Sequence, residues 1–586
     1  MAAKCYAGKV LYVDLSSKEL IDIPVDDKAY EKFVGGKGLA TKLLCDYVSP
    51  KADPLSEENA LIVMSGALNP YMPKFTVTSK SPLTNTICTS NCGGSFGSML
   101  KRAGYDGIII QGKADSLSYL KIDKSVSIED ASSLEQMLIS EAVKELPDGY
   151  SKLVIGPAGE NLVSFASISS DGRFAGRGGL GAVLGSKNLK AIIAKGDKDY
   201  DFGDDFEEFY IKCSKEWSQH ARIQSLKAYG TANLVLPGAL LGYTPVENYK
   251  KASPDDVENF EKISGEEFAK HVVGNASCKK CPVGCGKTVN ISGKVVKRPE
   301  YESIAFLGPN LGNYDKEVVA KLNELCDELG LDTISTGAVL GYAIATKVFP
   351  LTFGYNKNLE YAVENIAYKK GYGKELAQGV KKLSERYGKK HAMHVKGLEI
   401  AAYVPDSRIL GQVLGYLTNP RGACHLNAPT AADELTLFAP LEPGDVKGKP
   451  ELIAFLESVD NMMDSMGVCR FTAYAFIKKK FKMPHKAESR IFRNLPAAAL
   501  MSIDVSTYYD LLSNATGKKY GKKSFLEIGK HVANMEHSFN RKAGHKIEEE
   551  SLPEELLKNL TGDGDAEKGR ELLKGMLSKY FELMGK

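Results

Sequence analysis

Three cysteines lie close together in the sequence, Cys278, Cys281 and Cys285, in the pattern C-x2-C-x3-C. A proline and a glycine between them favour a compact loop that can turn several thiolates inward. A cubane iron-sulfur cluster needs four thiolates, and the fourth can come from a distant part of the chain. Structural zinc is the alternative, but zinc sites usually draw their ligands as two close pairs, and no second Cys or His pair follows. The spacing favours a cluster, with Cys469 as its remote ligand.

A second pattern occurs twice, at Asp327 to Asp332 (DELGLD) and at Asp464 to Cys469 (DSMGVC). Each D-x-x-G ends a helical stretch, and Gly330 and Gly467 suit the left-handed turn that closes a helix. The preceding Asp is then left near exposed backbone groups, where its carboxylate can accept paired hydrogen bonds from a guanidine-like ring edge. One such motif alone is typical of an ordinary helix C-cap. The duplication, and the cysteine in the second copy, favour two similar ligands, one of them beside the cluster.

Two kinds of element must position these residues. Up to about residue 196 the chain has short β-type runs separated by glycine, which predict strands at 9–15, 19–25, 60–65, 75–79, 107–111, 119–122, 152–155 and 190–194. Beyond about residue 201 the apolar spacing becomes helical, most strongly at 315–329, 361–369, 374–387, 451–466 and 525–539. We therefore expect an α+β protein, with a β-rich domain at 1–204 and two mainly helical domains at 205–396 and 397–586.

Composition excludes several classes of protein. The 586 residues are 43% hydrophobic and 25% charged, which is typical of a globular chain, and the net charge of +3 provides no field for holding nucleic acid. The N-terminus has no signal-peptide core, and no apolar run is long enough to span a membrane. We expect a cytoplasmic protein, in which the eleven cysteines are not paired as disulfides, the clustered ones serve metal or redox chemistry, and those without ligand spacing pack as small apolar side chains.

With these features, the sequence resembles the aldehyde:ferredoxin oxidoreductase family of tungsten-pterin enzymes from about residue 8 to the C-terminus. The resemblance rests on the four cysteines, both D-x-x-G motifs, the segment GPAGENLVSFASISSDGRFAGRGGLGAVLGSKNLKAI at 156–192 and the segment PEYE at 299–302. It implies a β-rich base for two pterin dithiolenes, over which two helical domains close. It also implies one tungsten held by four dithiolene sulfurs, a magnesium bridging the pterin phosphates, and one 4Fe-4S cluster. Molybdenum stays open on coordination grounds.

The resemblance assigns catalytic positions to Glu302, at the end of PEYE, and to His425, in NPRGACHL at 419–426. Taken alone, the first would be a surface carboxylate and the second a structural histidine. In the implied reaction an aldehyde and water yield a carboxylic acid, two protons and two electrons. Glu302 would take or relay a proton as oxygen adds to the carbonyl carbon, while His425 would hydrogen-bond the carbonyl oxygen. Tyr301 either positions the substrate or packs.

The resemblance also implies contacts with the pterins and magnesium. Asn91, Gly93 and Gly94 match a segment beside the phosphates, and Arg177 offers a fork of donors that suits phosphate. Lys74 stands where the family commonly has an Arg bridging cluster and pterin, so the charge is kept but the fork is lost. The residues expected to contact the cofactor are Lys74, Asn91, Gly93, Gly94, Arg177, Gly178, Asp327, Gly330, Leu331, Asp332, Asp464, Gly467 and Val468.

Partners follow from the single cluster, because electrons must leave the chain through another protein, either ferredoxin or a small iron-sulfur subunit. Some family homodimers hold a bridging iron with an E-x-x-H pair, but Lys321 and Glu324 occupy those positions here. We expect that iron to be missing, which leaves a monomer, a different dimer or a hetero-oligomer open.

Three other interpretations compete. One is a family relative that carries out a low-potential reduction, such as that of an aryl-CoA thioester, and another is a subunit that holds only the cluster. The third comes from Gly176 to Gly181, which fits the dinucleotide pattern G-x-G-x-x-G. We do not expect that motif to join a strand directly to a helix in a βαβ unit, as a dinucleotide site requires.

Overall fold

The computed structural model of the protein describes residues 4–251, 257–278, 281–354, 356–435, 441–479, 484–546 and 550–585. Twelve strands in the first 194 residues form two six-stranded sheets. The strands of the first sheet are β1 (Lys9–Asp14), β2 (Glu19–Pro24), β3 (Leu61–Ser65), β4 (Phe75–Lys80), β5 (Ile87–Cys92) and β6 (Gly107–Gln111). Those of the second are β7 (Ser118–Ile122), β8 (Val126–Asp130), β9 (Ser151–Val154), β10 (Ile168–Ser170), β11 (Arg173–Ala175) and β12 (Leu189–Ala194).

The two sheets have the same topology. The first runs β2-β1-β6-β3-β4-β5 and the second, taken from its other edge, runs β8-β7-β12-β9-β10-β11. Each contains one parallel pair, β1 with β6 and β7 with β12, and its other neighbours are antiparallel. The N-terminal domain is therefore two copies of one six-stranded unit, called here the first repeat (residues 9–111) and the second repeat (residues 118–194).

The repeats share one apolar core. Val63 and Ile108 of the first sheet and Ile155 and Ile192 beside or within the second belong to the same buried cluster. Strands such as β3 and β12 are buried along their whole length, which explains why their sequences are mostly apolar rather than alternating. The helices in this part of the chain are α1 (Asp27–Phe33), α2 (Gly36–Tyr47), α3 (Phe96–Arg102), α4 (Ile139–Glu145), α5 (Pro157–Glu160) and α6 (Leu180–Ser186).

The rest of the chain is mainly helical. Its first half contains α7 (Asp204–Gln219), α8 (Ala221–Tyr229), α9 (Val235–Leu240), α10 (Val257–Glu261), α11 (Gly265–Ala269), α12 (Tyr301–Leu307), α13 (Lys316–Leu329), α14 (Thr333–Thr346), α15 (Asn356–Ala367), α16 (Gly373–Leu376) and α17 (Val380–Tyr387). Its second half contains α18 (Leu410–Thr418), α19 (Ala431–Leu435), α20 (Lys449–Met466), α21 (Ala473–Phe476), α22 (His485–Asn494), α23 (Pro496–Met501), α24 (Ser506–Thr516), α25 (Lys522–Lys542), α26 (Glu554–Leu557) and α27 (Ala566–Leu583).

Short strands interrupt the helices. A three-stranded antiparallel sheet surrounds the cysteine loop in sequence, and two two-stranded pairs follow it. These strands are β13 (Val272–Asn275), β14 (Lys287–Ile291), β15 (Lys294–Lys297), β16 (His394–Val395), β17 (Leu398–Glu399), β18 (Lys478–Lys479) and β19 (Ile503–Asp504). Among the described helices, none is both long and apolar enough to cross a bilayer.

The predicted fold class is confirmed, and the predicted strands and helices agree with the structure to within a few residues except at one place. The helix predicted at 374–387 is broken into α16 and α17, because Gly379 between them has a φ of +85°. The motif from Gly176 to Gly181 follows a strand, β11, and enters a helix, α6. However, β11 and β12 on either side of that helix are not neighbours, so no parallel βαβ unit forms. The boundaries at 204 and 396 stay predictions.

Candidate active site between the helix exits and the sheet repeats

The second D-x-x-G motif ends α20 against the first repeat. Gly467 adopts a φ of +79°, and the N–H of Val468 reaches back to the carbonyl of Met463 at 2.8 Å, which is the closing hydrogen bond of a Schellman turn. The carbonyl of Gly467 accepts a hydrogen bond from the N–H of Lys74 at 3.3 Å. A Cβ on Gly66 would lie 2.3 Å from the Gly467 Cα, so glycine is required on both sides of this contact.

The first D-x-x-G motif ends α13 against the second repeat in the same way. Gly330 has a φ of +76°, and the N–H of Leu331 donates to the carbonyl of Cys326 at 2.8 Å. The carbonyl of Gly330 accepts from the N–H of Ser167 at 2.8 Å. Ser167 directly precedes β10, as Lys74 directly precedes β4 in the other repeat. Each helix exit therefore meets the equivalent position of its own repeat.

The two Asp residues that begin the motifs are surrounded differently. Burial raises the pKa of Asp464, while Lys37 and a hydrogen bond from Asn91 oppose the rise. Burial also raises the pKa of Asp327, whose Oδ2 lies 3.4 Å from the Lys297 ammonium. Each carboxylate thus has a cation beside it, and both occupy the position predicted for them at a helix exit.

Asp332, the last residue of the first motif, is the N-cap of α14. Its carboxylate accepts from the Ile334 N–H at 3.0 Å and from the Ser335 hydroxyl at 2.7 Å. It also accepts from the Nε of Arg177 at 3.3 Å. In this structure the carboxylate therefore satisfies the start of the following helix and one buried arginine.

The four predicted cluster cysteines lie near one another, although no three of the described Cys, His, Asp and Glu side chains are close enough to hold a single metal ion. Burial raises the pKa of Cys281 to about 11, with Cys469 and Cys278 adding to it, and raises the pKa of Cys285 to about 12, with Cys469 among the contributors. Gly93 follows β5 at this point, and a Cβ there would lie 2.6 Å from the Cys278 sulfur. The remote Cys469 is therefore beside the local trio, as the sequence predicts.

Two cations lie among these sulfurs. Although burial opposes it, Cys469, Cys278 and Cys92 raise the pKa of Lys74. Arg173, which the sequence analysis did not single out, donates to the Ala276 carbonyl at 2.7 Å and lies 3.5 Å from Glu300. A group of thiolates is stabilised by such nearby positive charge. The position of Arg173 in the short β11 gave no sequence signal of its own.

The Asn91 segment lies between the cysteines and the second helix exit. Asn91 belongs to β5, and its side-chain oxygen is buried with no hydrogen-bond partner in the described chain. Gly94 has a φ of +100° and lies so close to Ser170 that a Cβ would be 2.8 Å from the serine oxygen. The Ser170 hydroxyl is likewise buried and unpartnered among the described residues. Buried polar groups that lack a hydrogen-bond partner among the described residues therefore lie where the two repeats meet.

The guanidinium group of Arg177 donates its hydrogen bonds to other protein groups. In addition to Asp332, it donates to the carbonyl of Ala423 at 3.1 Å and to the carbonyl of Glu399 at 2.7 Å. The side chain is only 7% exposed. It therefore ties the second repeat to the segment that precedes His425, and its predicted contact with phosphate stays a prediction. Gly178, with a φ of +90°, packs against the sulfur of Cys88.

Glu302 and His425 face each other. The Oε1 of Glu302 lies 3.6 Å from the Nδ1 of His425, and neither atom has a hydrogen-bond partner in the described chain. The other carboxylate oxygen, Oε2, accepts from the Ala402 N–H at 3.0 Å. Both side chains are mostly buried, with about 15% exposed. The predicted catalytic pair is thereby brought together across 123 residues of sequence.

The surroundings of Glu302 and His425 shift the pKa values of these two groups in opposite directions. Burial raises the pKa of Glu302 to about 7, against the opposing effects of the Ala402 N–H and Arg177. Burial lowers the pKa of His425 to about 3, and Arg177 and Arg421 add to this. At neutral pH the imidazole is uncharged while the carboxyl exchanges a proton readily. A carboxyl with a pKa near 7 suits general acid–base catalysis, while the neutral imidazole suits hydrogen bonding.

An aromatic wall stands beside the pair. The Tyr301 hydroxyl donates to the Ala402 carbonyl at 2.7 Å and contacts the Thr244 hydroxyl at 2.9 Å. The Tyr403 ring lies 5.6 Å from the Tyr301 ring and 6.0 Å from the His425 ring. Tyr301 and Glu302 thus hold Ala402 from its carbonyl and its N–H. Tyr403 was not recognised from sequence, since no motif surrounds it.

A cavity of about 1160 Å³ lies away from the pair, and no predicted site residue lines it. Its apolar wall includes Tyr249, Phe349, Phe353 and Met393. One lining residue connects it to the site, because the Tyr249 hydroxyl donates to the carbonyls of Ile400 and Ala401, just before Ala402.

The residues present fit a polar, anionic cofactor. Unpartnered buried polar atoms lie on both repeats and beside the pair, at Asn91 Oδ1, Ser167 Oγ, Ser170 Oγ, Glu302 Oε1 and His425 Nδ1. Such groups are rare in native proteins unless a ligand, ion or water completes them. Two helix exits, four cysteines and several buried cations frame this region. These unpartnered groups and the buried cations around them are suited to a bound polar cofactor.

Comparisons with known proteins agree with this geometry. The family model "Aldehyde ferredoxin oxidoreductase, N-terminal domain" matches residues 10–196, and "Aldehyde ferredoxin oxidoreductase, domains 2 & 3" matches residues 208–585. The chain is 36% identical over 614 residues to the tungsten-containing aldehyde ferredoxin oxidoreductase of Pyrococcus furiosus, covering 99% of this chain and 96% of the relative. The Thermococcus kodakarensis protein of that name is 35% identical, with the same coverage.

Two further matches carry other descriptions. An "aliphatic sulfonate oxidoreductase, WOR-like subunit" of Pyrococcus furiosus is 35% identical over 475 residues, covering 72% of this chain and 75% of the relative. The active-site complex BamBC of benzoyl coenzyme A reductase, solved with 1,5-dienoyl-CoA, has a TM-score of 0.82 at 22% identity, covering 100% of this chain and 95% of that one. This last likeness shows the fold alone.

Proposed function

The chain belongs to the aldehyde ferredoxin oxidoreductase family, and from that premise we propose that it oxidises aldehydes to carboxylic acids with water as the oxygen source. The observation that carries the proposal is the buried pair of Glu302 and His425, 3.6 Å apart with both facing atoms unpartnered. A proton acceptor and a neutral hydrogen-bond donor at this spacing suit the addition of oxygen to a carbonyl carbon.

In this proposal the two side chains divide the proton chemistry. Glu302, ionised, takes the proton as oxygen adds to the aldehyde carbon, and the Ala402 N–H on its other oxygen keeps its orientation. His425 is neutral because burial lowers the pKa of its imidazole. Its ring therefore donates a hydrogen bond to the carbonyl oxygen without bringing a charge. Tyr301 keeps Ala402 in place and forms part of the wall.

We assign the cofactor to the region between the helix exits and the repeats. Asp464, Gly467 and Val468 would hold one tungsten-bound pterin, and Asp327, Gly330 and Leu331 the other. Asn91, Gly93, Gly94, Arg177 and Gly178 would lie beside the phosphates and a bridging magnesium, and Lys74 beside the cluster. When bound, the tungsten pterin supplies two-electron redox chemistry, which amino-acid side chains cannot provide.

Electron exit is assigned to the cysteine end. Cys469 is the last residue of the second D-x-x-G motif, so one chain segment would contact both the proposed pterin and the proposed 4Fe-4S cluster. The cysteine loop is partly exposed, which lets a redox partner approach it. The partner is ferredoxin or a small iron-sulfur subunit.

The test begins with protein purified without oxygen and analysed for tungsten, molybdenum and iron. We expect about one tungsten and four irons per chain, and reduction of a viologen dye by at least one class in a panel of aliphatic and aromatic aldehydes. Iron without tungsten or molybdenum would instead support a subunit that holds only the cluster.

A second function is low-potential reduction, for example of an aryl-CoA thioester, or another oxidation carried out within the family. The match to an aliphatic sulfonate oxidoreductase subunit at 35% identity is the observation that favours another family reaction, on a sulfonate, and the benzoyl coenzyme A reductase complex supports the aryl-CoA alternative through its fold alone. Supplying the same preparation with reduced dye and an aryl-CoA, or with dye and an aliphatic sulfonate, separates these activities from aldehyde oxidation.

A further inference from the structure

His425 lies in residues 419–430, a segment without regular secondary structure between α18 and α19. Within this segment Ala428 has a φ of +51°, the left-handed region that alanine rarely adopts. A backbone of this kind persists only where its surroundings determine it. The conformation that presents His425 must therefore be held from outside the segment.

Two buried carboxylates of α20 hold it. The Ala428 N–H donates to Asp460 Oδ2 at 2.8 Å, and the Asn427 side-chain amide donates to Glu457 Oε1 at 3.0 Å. Glu457 and Asp460 are 1% and 3% exposed. Because they are three residues apart, they lie on one face of the helix. Hydrogen bonds to buried carboxylates are among the stronger tethers in proteins.

The two carboxylates differ in their second contact. Asp460 Oδ1 lies 3.2 Å from the Nε of Arg470, the residue after Cys469. This contact is ionic, since neither atom has a hydrogen-bond partner in the described chain. Glu457 accepts a hydrogen bond from the Tyr580 hydroxyl with its second oxygen. Asp460 thus stands between the His425 segment and the segment of the remote cysteine.

We propose that Asp460 is a positioning residue for His425, and that Glu457 supports the same segment through Asn427. The proposal rests on the proposed role of His425 in aldehyde oxidation. Asp460 does not touch reacting atoms in this account. It fixes the strained Ala428, and through it the imidazole opposite Glu302, to the helix that ends in the second D-x-x-G motif.

The test combines hydrogen exchange with kinetics for D460A and D460N, with E451Q as the control. Glu451 lies on the same helix and interacts with Lys579 of α27. In D460A we expect peptides covering 419–430 to exchange at least tenfold faster, because the tether is lost. We expect kcat to fall at least tenfold with KM within twofold, because the aromatic wall is untouched. An asparagine oxygen can still accept from Ala428, so D460N should give about threefold changes, and E451Q none.

Exchange at 419–430 as slow in D460A as in the unaltered holoenzyme would overturn the proposal. If D460A fails to fold, hydrogen exchange will rise throughout the chain. The D460N variant then decides, because unaltered exchange at 419–430 and an unaltered kcat in D460N would contradict the tether. Exchange is measured without turnover. A protein that is inactive with every aldehyde would therefore refute the proposed function. The tether of residues 419–430 would still be tested by its hydrogen exchange.

Discussion

The Oε1 of Glu302 and the Nδ1 of His425 face each other at 3.6 Å, and no other polar group of the described chain satisfies either atom. That separation is too long for a good hydrogen bond. The pair therefore has its functional atoms directed at a shared space rather than consumed by each other. Four predictions follow from this arrangement and from the two helix exits.

Replacing Glu302 with glutamine removes the proposed proton acceptor while keeping the shape and the Ala402 contact. We expect aldehyde turnover to fall by about a hundredfold or more, the usual scale for loss of a general base. Tungsten and iron contents should not change. The exposed Glu317→Gln serves as a matched control with normal turnover, and near-normal turnover in Glu302→Gln would remove Glu302 from the mechanism.

The pH dependence of kcat should reflect the pKa of Glu302, which burial raises to about 7. A base acts in its ionised form, so kcat should rise with pH through about 7 and level off above it. His425 does not change the pH profile of kcat in this range, because burial lowers its pKa to about 3 and the imidazole is neutral throughout. A profile flat from pH 5 to 9 in the unaltered protein would contradict this assignment.

Replacing Cys469 with serine should cost the proposed cluster one of its four thiolates. We expect lower iron content and an altered electron paramagnetic resonance signal after reduction, since serine is a poor substitute ligand for iron. Cys45→Ser, at a partly buried cysteine on α2 outside the quartet, is the matched control. Full iron content and an unaltered signal in Cys469→Ser would refute the remote ligand.

Alanine at Gly467 should weaken the second helix exit more than a simple C-cap. The left-handed backbone costs an alanine about 1–2 kcal/mol, and its Cβ would in addition lie 2.7 Å from the Lys74 carbonyl. Gly517→Ala is the control, because Gly517 also has a left-handed φ, of +69°, but nothing lies within 4 Å of its Cβ position. The thermal unfolding temperature and the pterin content should both fall further in Gly467→Ala than in Gly517→Ala. Equal effects in the two variants would show that the contact with the first repeat is unimportant.

Both helix exits are recognisable from the amino-acid sequence because each depends on local geometry. A glycine with a left-handed φ and a six-residue Schellman closure involve only neighbouring residues, so their pattern is visible in the chain. The repeated sheet unit was not recognised. Its two copies share strand order rather than residues, and equivalent positions such as Lys74 and Ser167 carry unrelated side chains.

Individual residues show the same difference between features visible in the local sequence and features set by packing. Arg173 and Asp460 each lie in ordinary surroundings along the chain, and only packing brings them to the cysteines and to Ala428. Arg177 was expected to serve phosphate from its place in a glycine-rich turn. The structure shows its donors bound to Asp332 and two main-chain carbonyls, which are contributed by other domains.

Residue types and their spacing along the chain were sufficient to predict a cysteine-bound cluster and two helix ends that bind similar ligands. Glu302 and His425 were assigned through the family resemblance of two short motifs. Packing then fixes which repeat each helix end meets, how far Glu302 lies from His425 and how burial separates the pKa values of the pair. Distances and desolvation arise when segments more than a hundred residues apart pack together.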